Sequence, residues 1–177
     1  MLAAALSAVV PTVREVVGRG GSLLLDGFLA PTWDWKRADG LYSDKHGQAG
    51  FKIQVGASIS GNLAAVGEPV PGARHDAHAL TASGLAEQIA GHDTLADLGY
   101  QGHATIHPVR KPSKGELTEH DRGSNASVSS VRAAVERAIS HLQNWKILAS
   151  CFRPPLEKFP ATLRVIVGLY FLKWAYE

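Results

Sequence analysis

Four acidic residues differ from the other carboxylates of the chain, most of which lie in polar, loop-like segments. Asp26 and Asp97 each close a short apolar segment typical of a strand. Asp76 begins a predicted helix, and Glu136 lies inside an amphipathic one. Carboxylates from two neighbouring strands and a covering helix can converge on one point, where they hold two divalent cations about 3.5–4 Å apart around a phosphate. One cation then activates a water or a 3′-hydroxyl group, and the other stabilises the leaving oxygen of an in-line displacement.

Each of these residues also has an ordinary structural interpretation. Asp26 stands directly before a glycine and Asp97 stands two residues before one, as turn residues often do. Asp76 stands where a helix N-cap would be. Arg132 and Glu136 are four residues apart on one helix face, where a surface pair contributes about 0.3–0.5 kcal/mol. Taken singly, the structural interpretation is favoured for every one of them.

The elements that must position these carboxylates follow from hydrophobic periodicity and turn residues. Apolar residues at 128, 131, 135, 139 and 142 form a helix stripe at steps of three and four. The predicted elements, in chain order, are a helix broken or kinked near Pro11, a strand at 22–27, a hairpin of 51–59 with 63–66, a helix at 75–90, a strand at 94–100, an edge strand at 105–109, the helix with the stripe, and a helix from 163 onward.

Composition restricts the class of protein. The chain has 177 residues, of which 45% are apolar, which suits one domain with a substantial core. With 18 Lys and Arg against 16 Asp and Glu, the net charge of +2 excludes a strongly basic tail or a highly charged disordered chain. The single cysteine, Cys151, excludes an internal disulfide framework and fits a reducing, intracellular setting. No apolar run reaches the roughly 18 residues of a membrane span.

Several short motifs occur in a fixed order that is more specific than any one of them. They are Leu25-Asp26-Gly27, Tyr42-Ser-Asp-Lys-His with Phe51-Lys-Ile-Gln-Val, Pro71-Gly-Ala-Arg-His-Asp76, Leu95-Ala-Asp-Leu-Gly-Tyr-Gln-Gly102, 125–137 and 141–148. In this ordered set the chain resembles the catalytic domain of DDE-superfamily transposases, of the Harbinger-like and bacterial insertion-sequence branch. The resemblance covers nearly the whole chain.

The resemblance implies a role for each acidic position. Asp26 corresponds to the first catalytic aspartate, Asp97 in the Asp-x-Gly-Tyr motif to the second, and Glu136 in the Arg-x-x-x-Glu motif to the catalytic glutamate. Asp76 is the family's additional acidic position and a candidate metal ligand. The expected cofactor is a pair of Mg²⁺ or Mn²⁺ ions held by all four carboxylates. Arg132 would contact DNA phosphate or orient Glu136.

The fold class that the resemblance implies is α/β and RNase H-like, with a mixed five-stranded sheet flanked by helices. Residues 22–177 would form this endonuclease domain, and residues 1–21 a short N-terminal helical remnant. The expected activity is metal-dependent cleavage of DNA, and strand transfer, at transposon ends. The expected partners are the transposon ends, target DNA and further copies of the chain in a synaptic complex. The expected location is the cytoplasm, in association with the nucleoid and not with a membrane.

Candidate DNA contacts lie in two basic loops. Lys36 and Arg37 follow two tryptophans that either stack on frayed bases or cap the core, and the second interpretation is favoured. Arg110 and Lys111 either line the DNA path or belong to a solvated loop.

The sequence also departs from the family pattern. Gln143 stands where a lysine often follows the catalytic glutamate, and the segment 45–50 carries fewer cations than usual. Only about 20 residues precede the first predicted strand, too few for a helix-turn-helix module. These departures leave open a truncated chain that needs a separate DNA-binding region, and also a catalytically inactive fold that acts as a DNA- or protein-binding module.

Overall fold

A mixed β-sheet forms the centre of the computed structural model, which describes residues 2–18, 21–33 and 39–174. The strands in these residues are β1 (Leu23–Pro31), β2 (Tyr42–Ser43), β3 (Gln48–Ser58), β4 (Leu63–Val66), β5 (Val70–Pro71) and β6 (Thr94–Leu95). β3 runs antiparallel to β1 on one side and to β4, β5 and β2 on the other. β6 lies parallel to β1 at its free edge. The expected α/β class with a mixed sheet is confirmed, although two-residue strands raise the number from five to six.

Helices cover both faces of this sheet. They are α1 (Leu2–Ser7), α2 (Val13–Val17), α3 (Asp76–Ala82), α4 (Leu85–Gln88), α5 (Glu119–Gln143), α6 (Lys146–Ala149) and α7 (Phe159–Trp174), with 3-10 helices at Leu98–Tyr100 and Leu156–Lys158. A capping box begins α5, because Thr118 and Asp121 bond reciprocally to each other's backbone N–H groups. The predicted break near Pro11 is confirmed between α1 and α2. Among the described residues, no helix combines the length and apolarity that a bilayer crossing requires.

Strand alternation divides the apolar side chains into two cores. Leu24 and Phe28 of β1 point to the face covered by α5 and α7. Leu23 and Leu25 point to the opposite face, which is covered by α3 and α4. Asp26 shares the parity of Leu24 and Phe28, so its carboxylate faces α5.

Three predicted elements are shorter than expected. The helix predicted at 75–90 is two helices, because Gly84 adopts a left-handed conformation with φ of +71° between α3 and α4. The strand predicted at 94–100 ends at Leu95, and a 3-10 helix replaces its second half. The edge strand predicted at 105–109 is reduced to one bridge between Leu95 and Ile106. Each prediction identified the segment but overestimated its regularity.

Candidate active site

The first two predicted catalytic aspartates lie close together, Asp26 in β1 and Asp97 just beyond the end of the parallel strand β6. Leu24 pairs with Leu95, so two residues further along each chain Asp26 comes next to Asp97. The sequence had indicated that Asp26 stands at the end of a strand, but it lies in the middle of β1. Asp97 caps the following 3-10 helix by accepting a 2.7 Å hydrogen bond from the N–H of Gly99. Because β6 stops before it, Asp97 stands at an opening beside β1.

The two carboxylates are oriented in the same way. Oδ1 of Asp26 accepts a 2.8 Å hydrogen bond from the N–H of Gly27, just as Oδ1 of Asp97 accepts one from Gly99. Both Oδ2 atoms face Arg132 of α5, whose Nη2 lies 3.2 Å from Asp26 and 3.7 Å from Asp97. One cationic nitrogen therefore bridges the two acidic groups. The ordinary interpretation of Arg132, a surface pair with a residue of its own helix, is not what the structure shows.

Burial disfavours the charged form of the central carboxylate. Burial raises the pKa of Asp26 above its ordinary value, and the negative charge of Asp97 acts in the same direction. The Gly27 N–H and the Arg132 guanidinium oppose this rise in the pKa of Asp26 but do not cancel it. An additional cation between the carboxylates would stabilise their ionised forms.

Asp76 lies on the other face of the sheet and is already paired. Its Oδ1 is 2.9 Å from Nζ of Lys52, and its Oδ2 is 3.6 Å from Nζ of Lys45. Lys52 also donates to the carbonyl oxygen of Arg74. A Cβ placed on Gly99 would lie 2.9 Å from Oδ1 of Asp97 and 3.0 Å from Oδ2 of Asp76, so these carboxylates meet around a residue that has no side chain. Asp76 is the first residue of α3 and not its N-cap, which is His75.

Glu136 is held near this site by its helix but does not contact it. It follows Arg132 by four residues on α5, which places both on one helix face. The side chain is exposed, and within the described residues it makes no hydrogen bond or ion pair. In the same residues, no three His, Cys, Asp or Glu side chains are grouped closely enough to hold a metal ion. Two of the three expected catalytic residues are therefore brought together, and the third lies a helical turn beyond their shared arginine.

A buried polar pair beneath the carboxylates was missed by sequence reasoning. The hydroxyl of Tyr100 donates a 2.5 Å hydrogen bond to Oε1 of Gln54, and Nε2 of Gln54 is buried with no partner among the residues that the structure describes. The charges of Asp76, Asp26 and Asp97 all contribute to the raised pKa of Tyr100, although burial is the largest cause. The phenol thus lies within electrostatic reach of all three aspartates. The available signal was polar residues at alternate positions of a strand, which the buried Lys52 and Gln54 occupy.

The predicted DNA contacts are only partly described. Lys36 and Arg37 lie outside the described residues. Arg110 and Lys111 are exposed in the loop before α5. The side chain of Asn125 holds that loop against α5 by two hydrogen bonds to the backbone of Val109, of 2.7 and 3.1 Å. Because α5 also carries Arg132, the two basic loop residues keep a fixed relation to the carboxylates.

The first of the two tryptophans is a surface residue. Trp33 is 66% exposed, so the favoured interpretation that it caps the core is wrong. The guanidinium carbon of Arg153 lies 5.3 Å from its ring centroid, within cation–π range. The second tryptophan lies outside the described residues.

The α/β domain thus carries an acidic site made of Asp26 within β1, Asp97 just beyond the parallel strand β6, and Arg132 of α5. The sequence model of the family described as DDE superfamily endonuclease matches residues 25–170, and the chain belongs to this family. The resemblance to DDE-superfamily transposases is thereby confirmed.

Curated relatives agree with this assignment. The putative transposase for insertion sequence element IS112 of Streptomyces albus G is 32% identical over 143 residues, which are 78% of this chain and 54% of that protein. The probable transposase for insertion sequence element IS702 of Microchaete diplosiphon is 30% identical over 81 residues, 43% of this chain and 29% of that protein. The chain thus spans about half the length of the first relative and less of the second. No solved structure matches the chain.

Proposed function

We propose that this domain catalyses metal-dependent cleavage of DNA, and transfer of the cut strand, at the ends of a transposable element. The observation that carries the proposal is that one nitrogen of Arg132 contacts both Asp26, which lies in β1, and Asp97, which lies just beyond the parallel strand β6. Membership of the DDE superfamily supports the same activity. The proposal extends to the full catalytic set, with Glu136 as its third member.

The fold we propose for residues 22–177 is RNase H-like, with residues 1–21 as a short N-terminal helical segment. Strand order supports it, because β4, β3, β1 and β6 follow one another across the sheet and only β6 is parallel to β1. In such a sheet the acidic groups gather where the parallel pair ends. That is where Asp26 and Asp97 lie.

The residues present suit Mg²⁺ or Mn²⁺. Carboxylate oxygens are the ligands that these hard cations prefer, and two of them already converge on a single positive group. Asp26 and Asp97 would hold the ions, Glu136 would complete the set from α5, and Asp76 is a further candidate once it leaves Lys52. When bound, the ions supply an activated water or 3′-hydroxyl group and stabilisation of the leaving oxygen.

The chain's own residues have separate tasks. Gly27 and Gly99 fix one oxygen of each aspartate through their N–H groups, which leaves the other oxygen directed into the site. Arg132 offers positive charge for a phosphate of the bound DNA. Arg110 and Lys111 extend that charge along the loop that Asn125 holds, and Lys36 and Arg37 are further candidates. We place the protein on DNA in the nucleoid, with further copies of the chain in a synaptic complex at the element ends.

Thermal melts with and without Mn²⁺ test the metal site directly. Metal that binds the folded chain raises the melting temperature by mass action, and Asp26→Ala and Asp97→Asn should each abolish the rise. Asp44→Asn removes an exposed aspartate from another loop and should leave the rise intact. A rise that all three variants share would show that Mn²⁺ binds elsewhere.

Nicking of supercoiled plasmid DNA then tests catalysis. The wild-type chain with Mn²⁺ should nick the plasmid, and Asp97→Asn and Glu136→Gln should each reduce the rate by at least about a hundredfold, the effect expected when a group that supports the transition state is lost. If Mn²⁺ binds and no nicking occurs in any buffer or with any DNA, cleavage by this chain is refuted. The inactive DNA- or protein-binding module would then be the better description.

A further inference from the structure

The guanidinium of Arg132 occupies the position between Asp26 and Asp97 to which a metal ion would be drawn. Its Nη2 is shared by both carboxylates, at 3.2 and 3.7 Å. A guanidinium and a divalent cation repel each other at contact distance because both are positively charged, and both are attracted by the same two oxygens. The arginine and a metal ion therefore compete for one place.

We propose that Arg132 is a built-in counterion that metal ions must displace, so that it sets the metal affinity of the site and couples metal binding to DNA. This inference rests on the proposed function. From the sequence, Arg132 was expected only to contact a DNA phosphate or to orient Glu136. The inference gives Arg132 a further role, before DNA is bound.

The bonding of Arg132 shows that it is not held firmly. Only Nη2 contacts the carboxylates, and only the contact with Asp26 is a hydrogen bond. The Nε–H group is buried and finds no acceptor in the described part of the chain. A guanidinium is most stable when two parallel N–H groups bind one acid, which this arrangement does not provide. When the Arg132 guanidinium leaves the carboxylates, one hydrogen bond and two ion pairs made by the same nitrogen are lost. Its buried Nε–H group can then find an acceptor elsewhere.

The reason the site keeps a counterion lies in its two aspartates. Asp26 is only partly exposed, and its carboxylate lies close enough to that of Asp97 for one nitrogen of Arg132 to contact both. Without any cation the two carboxylates would repel each other in a site of reduced polarity. Arg132 limits this repulsion while no metal is bound. It therefore keeps the pair assembled and at the same time lowers its affinity for metal.

A DNA phosphate changes the balance. A phosphate can accept two N–H groups from one guanidinium, including the Nε–H group that now lacks a partner. A phosphate that draws Arg132 away leaves the carboxylates free for metal. Because such coupling is reciprocal, bound metal should raise the affinity for DNA by the same factor by which DNA raises the affinity for metal.

Mn²⁺ titration followed by electron paramagnetic resonance tests the inference on the full chain without DNA. Arg132→Met should bind Mn²⁺ about tenfold more tightly than the wild type, a change that corresponds to about 1.4 kcal/mol. Arg132→Lys, which keeps the charge, should bind more weakly than Arg132→Met. Arg137→Met is the matched control, because it removes the same charge from the same helix at a residue that contacts Ser60 and not the aspartates.

Each outcome has a defined meaning. Equal or weaker binding by Arg132→Met, with the helical signal in circular dichroism unchanged, overturns the counterion role and leaves the metal site itself intact. Equal tightening in Arg137→Met also overturns it, because general electrostatics would then suffice. Absence of binding in every variant, Arg132→Met included, refutes the metal site and with it the proposed function. Binding by Arg132→Met alone supports both.

A second titration tests the coupling. A short DNA duplex should tighten Mn²⁺ binding in the wild type and have at least several-fold less effect in Arg132→Met. An equal effect of DNA on both chains would show that phosphate does not act through Arg132.

Discussion

The hydroxyl of Tyr100 donates a 2.5 Å hydrogen bond to Oε1 of Gln54. Gln54 is completely buried in β3 and directly opposes Gly27, the residue after Asp26. Tyr100 stands at the end of the 3-10 helix that Asp97 begins. The pair therefore links the segments that carry the two aspartates from below, and buried polar contacts of this kind fix one packing arrangement among several.

Tyr100→Phe should lower the free energy of unfolding by about 1–3 kcal/mol, because it leaves a buried carbonyl oxygen without a donor. Gln54→Leu should also destabilise the chain, since the phenol then lacks an acceptor. The double variant should lose less than the sum of the two, with a coupling of at least about 0.5 kcal/mol. Urea unfolding of the four chains measures this cycle, and strict additivity would refute the hydrogen bond.

Gly99→Ala should weaken Mn²⁺ binding by roughly ten- to hundredfold, the range found when a partner of a metal ligand is disturbed. The new methyl group would overlap the carboxylate ends of Asp97 and Asp76. Because these are side-chain ends and not rigid backbone, they can move away from the methyl group. Gly123→Ala is the control, because a Cβ there meets no described atom within 4 Å apart from its chain neighbours and the backbone of its own helix. It should leave Mn²⁺ binding unchanged and stabilise α5 by about 0.5–1 kcal/mol. Equal metal affinity in both variants would contradict the close approach at Gly99.

Lys52 and Lys45 should differ sharply in importance although both face Asp76. The Lys52 side chain is 7% exposed, and that of Lys45 is 68% exposed. Lys52→Met should cost about 3 kcal/mol, because it leaves Asp76 and the Arg74 carbonyl without their buried donor. Lys45→Met should cost less than about 1 kcal/mol. Chemical denaturation of both variants provides the comparison, and similar losses would mean that burial does not decide the strength of this pair.

The raised pKa of Asp26 predicts a pH dependence with a definite sign. Between the unfolded value of 3.8 and the higher folded pKa, the folded chain retains a proton that the unfolded chain has lost. The stability of the wild type should therefore fall, relative to Asp26→Asn, as the pH rises through this window. Unfolding measured with a chelator present, at several pH values from about 3.5 to 7, would reveal the trend. This range begins where carboxyl groups ordinarily titrate, at about pH 3.5–4.5, and extends above it.

Asp121 supplies the opposite case within the same chain. Hydrogen bonds from Thr118 lower the pKa of Asp121 below 3.8. This contribution to stability is present above pH 3.8 and is lost as the pH falls through the folded pKa. The stability curves of the wild type and Asp121→Asn should therefore converge at low pH. The curves of the wild type and Asp26→Asn should converge there as well. If the two difference curves had the same sign at neutral pH, one of the assigned environments would be wrong.

The sequence predicted this fold best where a pattern is long and locally determined. The apolar stripe between Val128 and Leu142 identified the core of α5, but its first two turns lack apolar residues, so only the Thr118 capping box marks its beginning. The helix predicted at 75–90 failed at Gly84, since periodicity does not reveal a left-handed residue. Lys52 and Gln54 fit the alternation of a half-exposed strand, yet α3 and the Tyr100 ring cover that face and bury them.

Motif order predicted Asp26, Asp97 and Glu136 as site residues. The structure brings the two aspartates together, and the place of Glu136 in the site stays a prediction. Local spacing favoured a pair between Arg132 and Glu136, whereas the tertiary structure gives Arg132 to the aspartates of the sheet. The partly buried carboxylates of Asp26 and Asp97 attract a cation more strongly than an exposed carboxylate does, because less water screens the interaction. Such a preference depends on burial, which the sequence alone does not provide.

Asp26 and Arg132 are 106 residues apart along the chain. Contacts between such distant residues form late in folding, because a long loop must close before they are made. During translation, β1 leaves the ribosome well before α5 does, so a nascent or prematurely terminated chain holds Asp26 without its partners. The proposed nuclease centre is therefore complete only in a chain that has been synthesised through α5.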